Sequence, residues 1–173
     1  MILAKAIRAK RFDDAAFKNA MRHALERVGR VAVKEFERTT ATWEHKPEFK
    51  VSTHVTARLM PPISLEVWTE DKIYGYVSEG TRPHDIWAGA YTGKSNAKVL
   101  VFPSAFTPKT RPGSLQSGPG SKGGETVHVP YVHHPGTEAR NFDALVAKEV
   151  APKFKKEVED ALHEARIASG HAA

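Results

Sequence analysis

At 173 residues and 19.1 kDa the chain is long enough for one substantial core and short for two, and its 40% hydrophobic and 27% charged residues exclude global disorder. With no cysteine it has no disulfide, thiolate nucleophile or cysteine-held zinc, and no apolar run reaches the roughly 20 residues of a membrane span or resembles a secretory signal. The net charge of +6 is local: residues 1–40 hold ten Lys or Arg against five Asp or Glu, a basic segment suited to nucleic acid or an acidic protein surface, or simply a solvated helix face.

From Asp13 to about Thr39 the apolar residues Phe17, Met21, Ala24, Val28, Val31 and Phe36 recur at steps of three to five, and Leu25 and Ala32 widen the stripe. This spacing predicts a long amphipathic helix, with Asp13 or Asp14 as N-cap and Thr39, Thr40 and Pro47 marking its end. Gly29 weakens it slightly. On that helix Arg27, Arg30, Lys34 and Arg38 fall at i, i+3, i+7 and i+11, a continuous basic face beside the apolar one.

The period then changes to two. Phe49, Val51, Thr53 and Val55, then Ile63, Leu65, Val67 and Thr69, predict two half-buried strands joined around Met60-Pro61-Pro62. Further strands are expected over Lys98–Pro103 and Thr126–Val132, with Pro130 placing an edge or bulge in the second. Between them residues 104–125, rich in Gly, Ser, Pro and Lys, read as a long mobile hairpin loop suited to docking.

From Asn141, the expected N-cap, Phe142, Leu145 or Val146, Val150, Phe154, Val158, Leu162 and Ala165 return to helical register. Pro152 should kink this second helix or split it after Val150. The fold class is therefore α+β: a small, mainly antiparallel sheet of about four strands packed with a long N-terminal helix and a C-terminal helix. The expected organisation is a single domain over 1–173, with an N-terminal arm at 1–11, a core at 12–168 and a frayed tail at 169–173.

Chemistry is sparse. Among nine histidines, His128, His133 and His134 are the closest group, but adjacent residues of an extended segment point to opposite faces, and neither helix carries a His-x-x-x-His or His-Glu-x-x-His pair. His84-Asp85 follows Pro83 in a loop and lacks the further ligands of a metal-dependent phosphohydrolase. The Gly-rich loop lacks the Gly-x-x-x-x-Gly-Lys-Ser/Thr pattern and is followed by a strand, not by the helix that would hold a nucleotide's phosphates. No Gly-x-Ser-x-Gly elbow or perturbed carboxylate pair is apparent. The expectation is no catalytic residue, no metal and no cofactor. No zinc-finger or aromatic RNA-binding pattern accompanies the basic face, so any DNA contact would be to the backbone.

Two segments stand out: Tyr74-Gly75-Tyr76-Val77-Ser78-Glu79-Gly80-Thr81-Arg82-Pro83-His84, and Val132-His133-His134-Pro135-Gly136-Thr137-Glu138-Ala139-Arg140-Asn141-Phe142. Gly80 and Gly136 permit positive φ, Thr81 and Thr137 can bond the backbone, and Pro83 and Pro135 fix the exits, so all six read as structural turn residues. In content and order the segments resemble those of the tail-completion, or head-to-tail joining, proteins of the neck of long-tailed bacteriophages. There an aromatic segment ending in Glu-x-Gly-Thr precedes a hairpin, and a His-Pro-Gly-Thr turn followed by Phe leads into the C-terminal helix. The chain departs from that pattern in Ser78-Glu79-Gly80, where Glu-aromatic-Gly is usual, and in its long Gly/Ser loop.

The resemblance implies a non-enzymatic virion protein, present in the host cytoplasm during assembly. It would form a ring, expected to be sixfold, that completes the tail and joins it to the filled head. Its partners would be further copies, the connector or head-completion protein, the tail terminator and the tail tube, with no membrane. Arg82, His84, His134, Arg140 and Phe142 would contact neighbouring subunits, and Arg27, Arg30, Lys34 and Arg38 would face an acidic partner or the DNA channel. The alternatives are a tail terminator or other connector subunit of the same joint, and a small basic nucleic-acid-binding protein.

Overall fold

The structure, a computed structural model, describes residues 13–55, 63–91 and 98–171. The expected N-terminal arm and the Met60-Pro61-Pro62 connection lie outside them. The order is α1 (Asp14–Thr39), β1 (Lys50–His54), β2 (Ser64–Trp68), α2 (Lys72–Glu79), β3 (His84–Trp87), α3 (Ala88–Tyr91), β4 (Leu100–Thr107), β5 (Ser121–Val129), β6 (Tyr131–His134) and α4 (Phe142–Ala168). The α+β class holds. The strands, however, form three two-stranded sheets, β1-β2, β3-β6 and β4-β5, instead of one sheet of four. Among the described residues no helix is long and apolar enough to cross a membrane.

The chain divides into two compact units, one within Met1–Val33, Val51–Val67 and Glu149–Ala173, the other within Lys34–Lys50 and Trp68–Lys148. The core of the first is formed by Met21, Ala24 and Leu25 of α1 with Ala161 of α4, all fully buried, and Phe17, Val55, Ile63, Leu65, Phe154 and Val158 pack against it. The apolar periodicity of both long helices thus finds its expected use. Gly29 has a packing reason: a Cβ there would lie 2.8 Å from Val51 Cγ1 and 3.3 Å from Leu65 Cδ1, so β1 and β2 approach α1 where it lacks a side chain.

Both ends of this unit are capped. The Asp13 carboxylate accepts the amides of Ala15 and Ala16 at 2.9 and 3.0 Å, and the Asp13 amide donates to Ser169 Oγ at 2.8 Å. At the end of α4, Gly170 has φ 71°, its amide donates to Ile167 O, and the amide of His171 donates to Arg166 O. These are the bonds of a Schellman cap, so Ser169–His171 close the helix where fraying was expected.

Aromatic rings fill the second unit. Tyr74, only 5% exposed, lies 5.1 Å from Phe49, 5.5 Å from Phe142, 6.3 Å from Trp43 and 6.4 Å from Phe36, between ring centroids. The helix that delivers it, α2, falls in a stretch read from sequence as a turn. Asp71 caps α2 by accepting the Tyr74 amide at 2.7 Å.

Pro152 does not split α4, which continues through it. Buried Phe142, Val146 and Val150 before it, and Ala161 and Ala165 after it, hold both halves in packed surroundings. That packing offsets the lost backbone bond and the ring clash, worth about 3 kcal/mol. Asn141 holds the N-cap position expected for α4, its carbonyl accepting the Leu145 amide at 3.1 Å, but with a φ of 51° in place of the usual extended backbone.

Candidate functional site

The two segments that carry the family resemblance meet in space. Thr81 and Thr137 form an isolated antiparallel bridge: the Thr81 amide donates to Thr137 O at 2.9 Å, and the Thr137 amide donates to Thr81 O at 3.1 Å and to Thr81 Oγ1 at 2.9 Å. The glycines beside them are placed reciprocally. Gly80, φ 79°, lies under the Thr137 carbonyl, where a Cβ would come within 2.6 Å of the oxygen. Gly136, φ 92°, lies under the Thr81 carbonyl, where a Cβ would collide with that oxygen and sit 3.0 Å from Arg82 C and 3.1 Å from Pro83 N. A turn read as Gly-Thr twice in sequence is thus one clasp made of two halves.

The clasp joins two helix ends. Carbonyls at the end of α2 lack intrahelical donors, as the first amides of α4 lack acceptors. Here Arg140 N–H donates to Ser78 O at 3.0 Å, Asn141 N–H to Ser78 O at 2.9 Å and Phe142 N–H to Ser78 Oγ at 3.3 Å. Ser78 therefore accepts the first amide of α4 and the two amides that lead into it.

Beyond the clasp β3 and β6 pair antiparallel, with His84 opposite His134, Asp85 opposite His133, Ile86 opposite Val132 and Trp87 opposite Tyr131. The pleat separates His133 from His134. One face holds the His84 and His134 rings, 5.2 Å apart; the other holds the His133 Nδ1–Asp85 contact of 2.8 Å and the stacked rings of Trp87 and Tyr131, 4.9 Å apart and 55% and 48% exposed. Pro130 divides the single strand expected over Thr126–Val132 into β5 and β6, and its carbonyl accepts the Ala88 amide.

The histidine pair is poorly arranged for metal. His84 Nδ1 lies 2.8 Å from the Arg82 carbonyl, which fixes the proton there and leaves the Nε2 lone pair free. His134 Nδ1 instead accepts the Gly136 amide at 3.0 Å, so the neutral ring carries its proton on Nε2. One ring offers an acceptor and the other a donor. His128 lies on β5 opposite Val101 of β4, apart from either face of β6. Among the described residues no group of three His, Asp or Glu is placed to hold a metal ion.

Of the residues expected at a subunit interface, Arg82 and His84 are exposed and His134 is half-buried, but Arg140 and Phe142 are 7% and 0% exposed. The last two are corrected to internal roles. Phe142 packs on Tyr74, and Arg140 Nη1 donates to Glu138 O at 2.8 Å. The basic face also divides. Arg27 Nε donates to Glu157 at 2.8 Å, holding that carboxyl below its usual range, and Arg38 pairs with Glu35 at 3.0 Å. Arg30 and Lys34 are exposed and unpaired among the described residues.

The feature sequence reasoning missed is the length of the β4-β5 hairpin. Strand pairing reaches Thr107 and resumes at Ser121, through residues expected to form a loop, with a bulge between Pro103 and Ala105. Leu100 and Phe102 face Val129 and Val127 across the ladder, while Val101 and Phe106 remain 59% and 66% exposed. The remaining connection is anchored. Thr42 Oγ1 donates to Gly118 O at 2.6 Å, Lys109 Nζ to Thr42 O at 2.9 Å, and the Gly118 amide to Lys109 O at 2.6 Å. No protein family, characterised protein or solved structure matches this chain.

Proposed function

We propose that the protein is a non-enzymatic assembly subunit, a component of the neck of a tailed bacteriophage that forms a ring completing the tail and joining it to the DNA-filled head. The observation that carries the assembly reading is the β4-β5 hairpin: strands of eight and nine residues whose exposed side chains include Val101 and Phe106. Large apolar side chains left in water on a two-stranded ladder suit burial by another protein. Support for the neck in particular comes from the resemblance, whose two segments build one reciprocal clasp.

Native mass spectrometry of the purified protein, alone and mixed with candidate connector, terminator and tube proteins, tests this. Rings or mixed complexes are expected, and Val101→Ser with Phe106→Ser should abolish them while leaving thermal unfolding near wild type. A monomer that joins none of these proteins would reject the reading. A second reading, a small nucleic-acid-binding protein, is favoured by unpaired Arg30 and Lys34; it requires an affinity for duplex DNA that falls steeply with salt.

A further inference from the structure

Residues 104–124 include Lys109, Arg111 and Lys122 and no aspartate or glutamate. The connection between β4 and β5 forms an open pocket of about 470 Å3 lined entirely by residues from Thr107 to Ser121. Its polar side chains are Thr107, Lys109, Arg111, Ser114, Gln116, Ser117 and Ser121: two cations, four hydroxyls and one amide, with no carboxylate. The walls are fixed by the bonds to Thr42 already described and by Thr110 and Leu115, 5% and 8% exposed. Ser117 Oγ further accepts the Thr42 amide at 3.1 Å. Lys109 gives one ammonium hydrogen to Thr42 O, and exposed Arg111 has no partner among the described residues.

We propose that this loop is a binding site for a phosphate group, either free inorganic phosphate or a phosphodiester of a nucleic-acid backbone. A guanidinium and an ammonium meet a phosphate with charge-assisted bonds, and the Gln116 amide with the hydroxyls of Thr107, Ser114 and Ser121 suits a tetrahedral oxyanion better than a planar carboxylate, the Ser117 hydroxyl being given to the Arg38 carbonyl. The Gly-Pro-Gly at 118–120 adds no bulky side chain to obstruct approach. The site differs from a nucleotide P-loop, because β5 follows where that motif needs a helix N-terminus. Ser117 also donates to the Arg38 carbonyl at 3.3 Å, which sets the loop against the last turn of α1, and the site does not depend on ring formation.

The test is an NMR-monitored titration of the full chain with inorganic phosphate and, separately, with duplex DNA of arbitrary sequence over a salt series. Wild type, Arg111→Gln and Arg30→Gln are compared. Phosphate is expected to shift amides within 107–121, and Arg111→Gln, which breaks no internal bond, should weaken binding roughly tenfold. Arg30→Gln should leave phosphate binding unchanged. Response to both ligands, with a duplex salt slope reduced by about one in Arg111→Gln, assigns the site to a nucleic-acid backbone; response to phosphate alone assigns it to the free ion. Unchanged binding in Arg111→Gln, shifts confined to other residues, or a response to polyglutamate without one to phosphate would overturn the proposal.

Discussion

At the clasp a single methyl group separates two kinds of glycine. Gly136→Ala places a Cβ at positive φ against the Thr81 carbonyl, and both partners are backbone, so neither can turn away. The backbone strain alone is of order 1–3 kcal/mol, and a loss of at least about 2 kcal/mol is expected in urea unfolding. Gly75→Ala is the control: inside α2 with nothing within 4 Å of its Cβ position, it should gain up to about 1 kcal/mol. Equal effects of the two substitutions would remove the clasp as a structural determinant.

Asp71 is the residue through which pH should act. Its carboxyl is held below the ordinary aspartate range, first by the Tyr74 amide and then by contact with His45, against the opposing effect of burial. A depressed folded value means that its stabilisation is fully present above the unfolded value of about 3.9 and is lost as pH falls through the folded one. Asp71→Asn should therefore flatten the acid limb of a melting-temperature profile below about pH 4. The same slope in both proteins would assign the acid sensitivity elsewhere.

Among the elements, those legible in sequence were the ones whose side chains repeat. Met21, Ala24, Leu25 and Val28 mark α1 because each turn presents another apolar group to the same core. By contrast, β3 is His-Asp-Ile-Trp, too short to alternate convincingly, and its partner β6 lies more than 40 residues away. The Ser-Lys-Gly-Gly-Glu start of β5 has no apolar residue; it is a strand because β4 continues opposite it. Strand partners are non-local, so three ladders could not be told from one sheet. Pro152 was legible as a local fault but not in its outcome, which the packing on both sides decides. Pro152→Ala restores one donor to α4 and removes the clash, so a gain of about 1 kcal/mol or more is expected, read as a higher melting temperature. A loss would show that the proline ring itself contributes to the packing around α4.

For the whole molecule, the candidate site was legible where chemistry is local and hidden where it depends on pairing. The two Gly-Thr turns were visible as turns, but not as partners, because nothing in either segment names the other. Likewise the spacing of Arg27, Arg30, Lys34 and Arg38 showed a basic face, but not that Glu157 and Glu35 neutralise its two outer members. What remains for an external partner is Arg30 and Lys34, one turn apart on α1. Reversing both, Arg30→Glu with Lys34→Glu, breaks no ion pair among the described residues, so unfolding should stay within about 0.5 kcal/mol of wild type. If these cations meet an acidic partner or the DNA channel, the variant should lose mixed complexes with neck proteins. Wild-type complexes should weaken as ionic strength rises, because exposed charges are screened beyond about 10 Å at 0.1 M salt. A variant that assembles as well as wild type would leave the exposed apolar hairpin to account for association and would reduce the α1 face to a solvated surface.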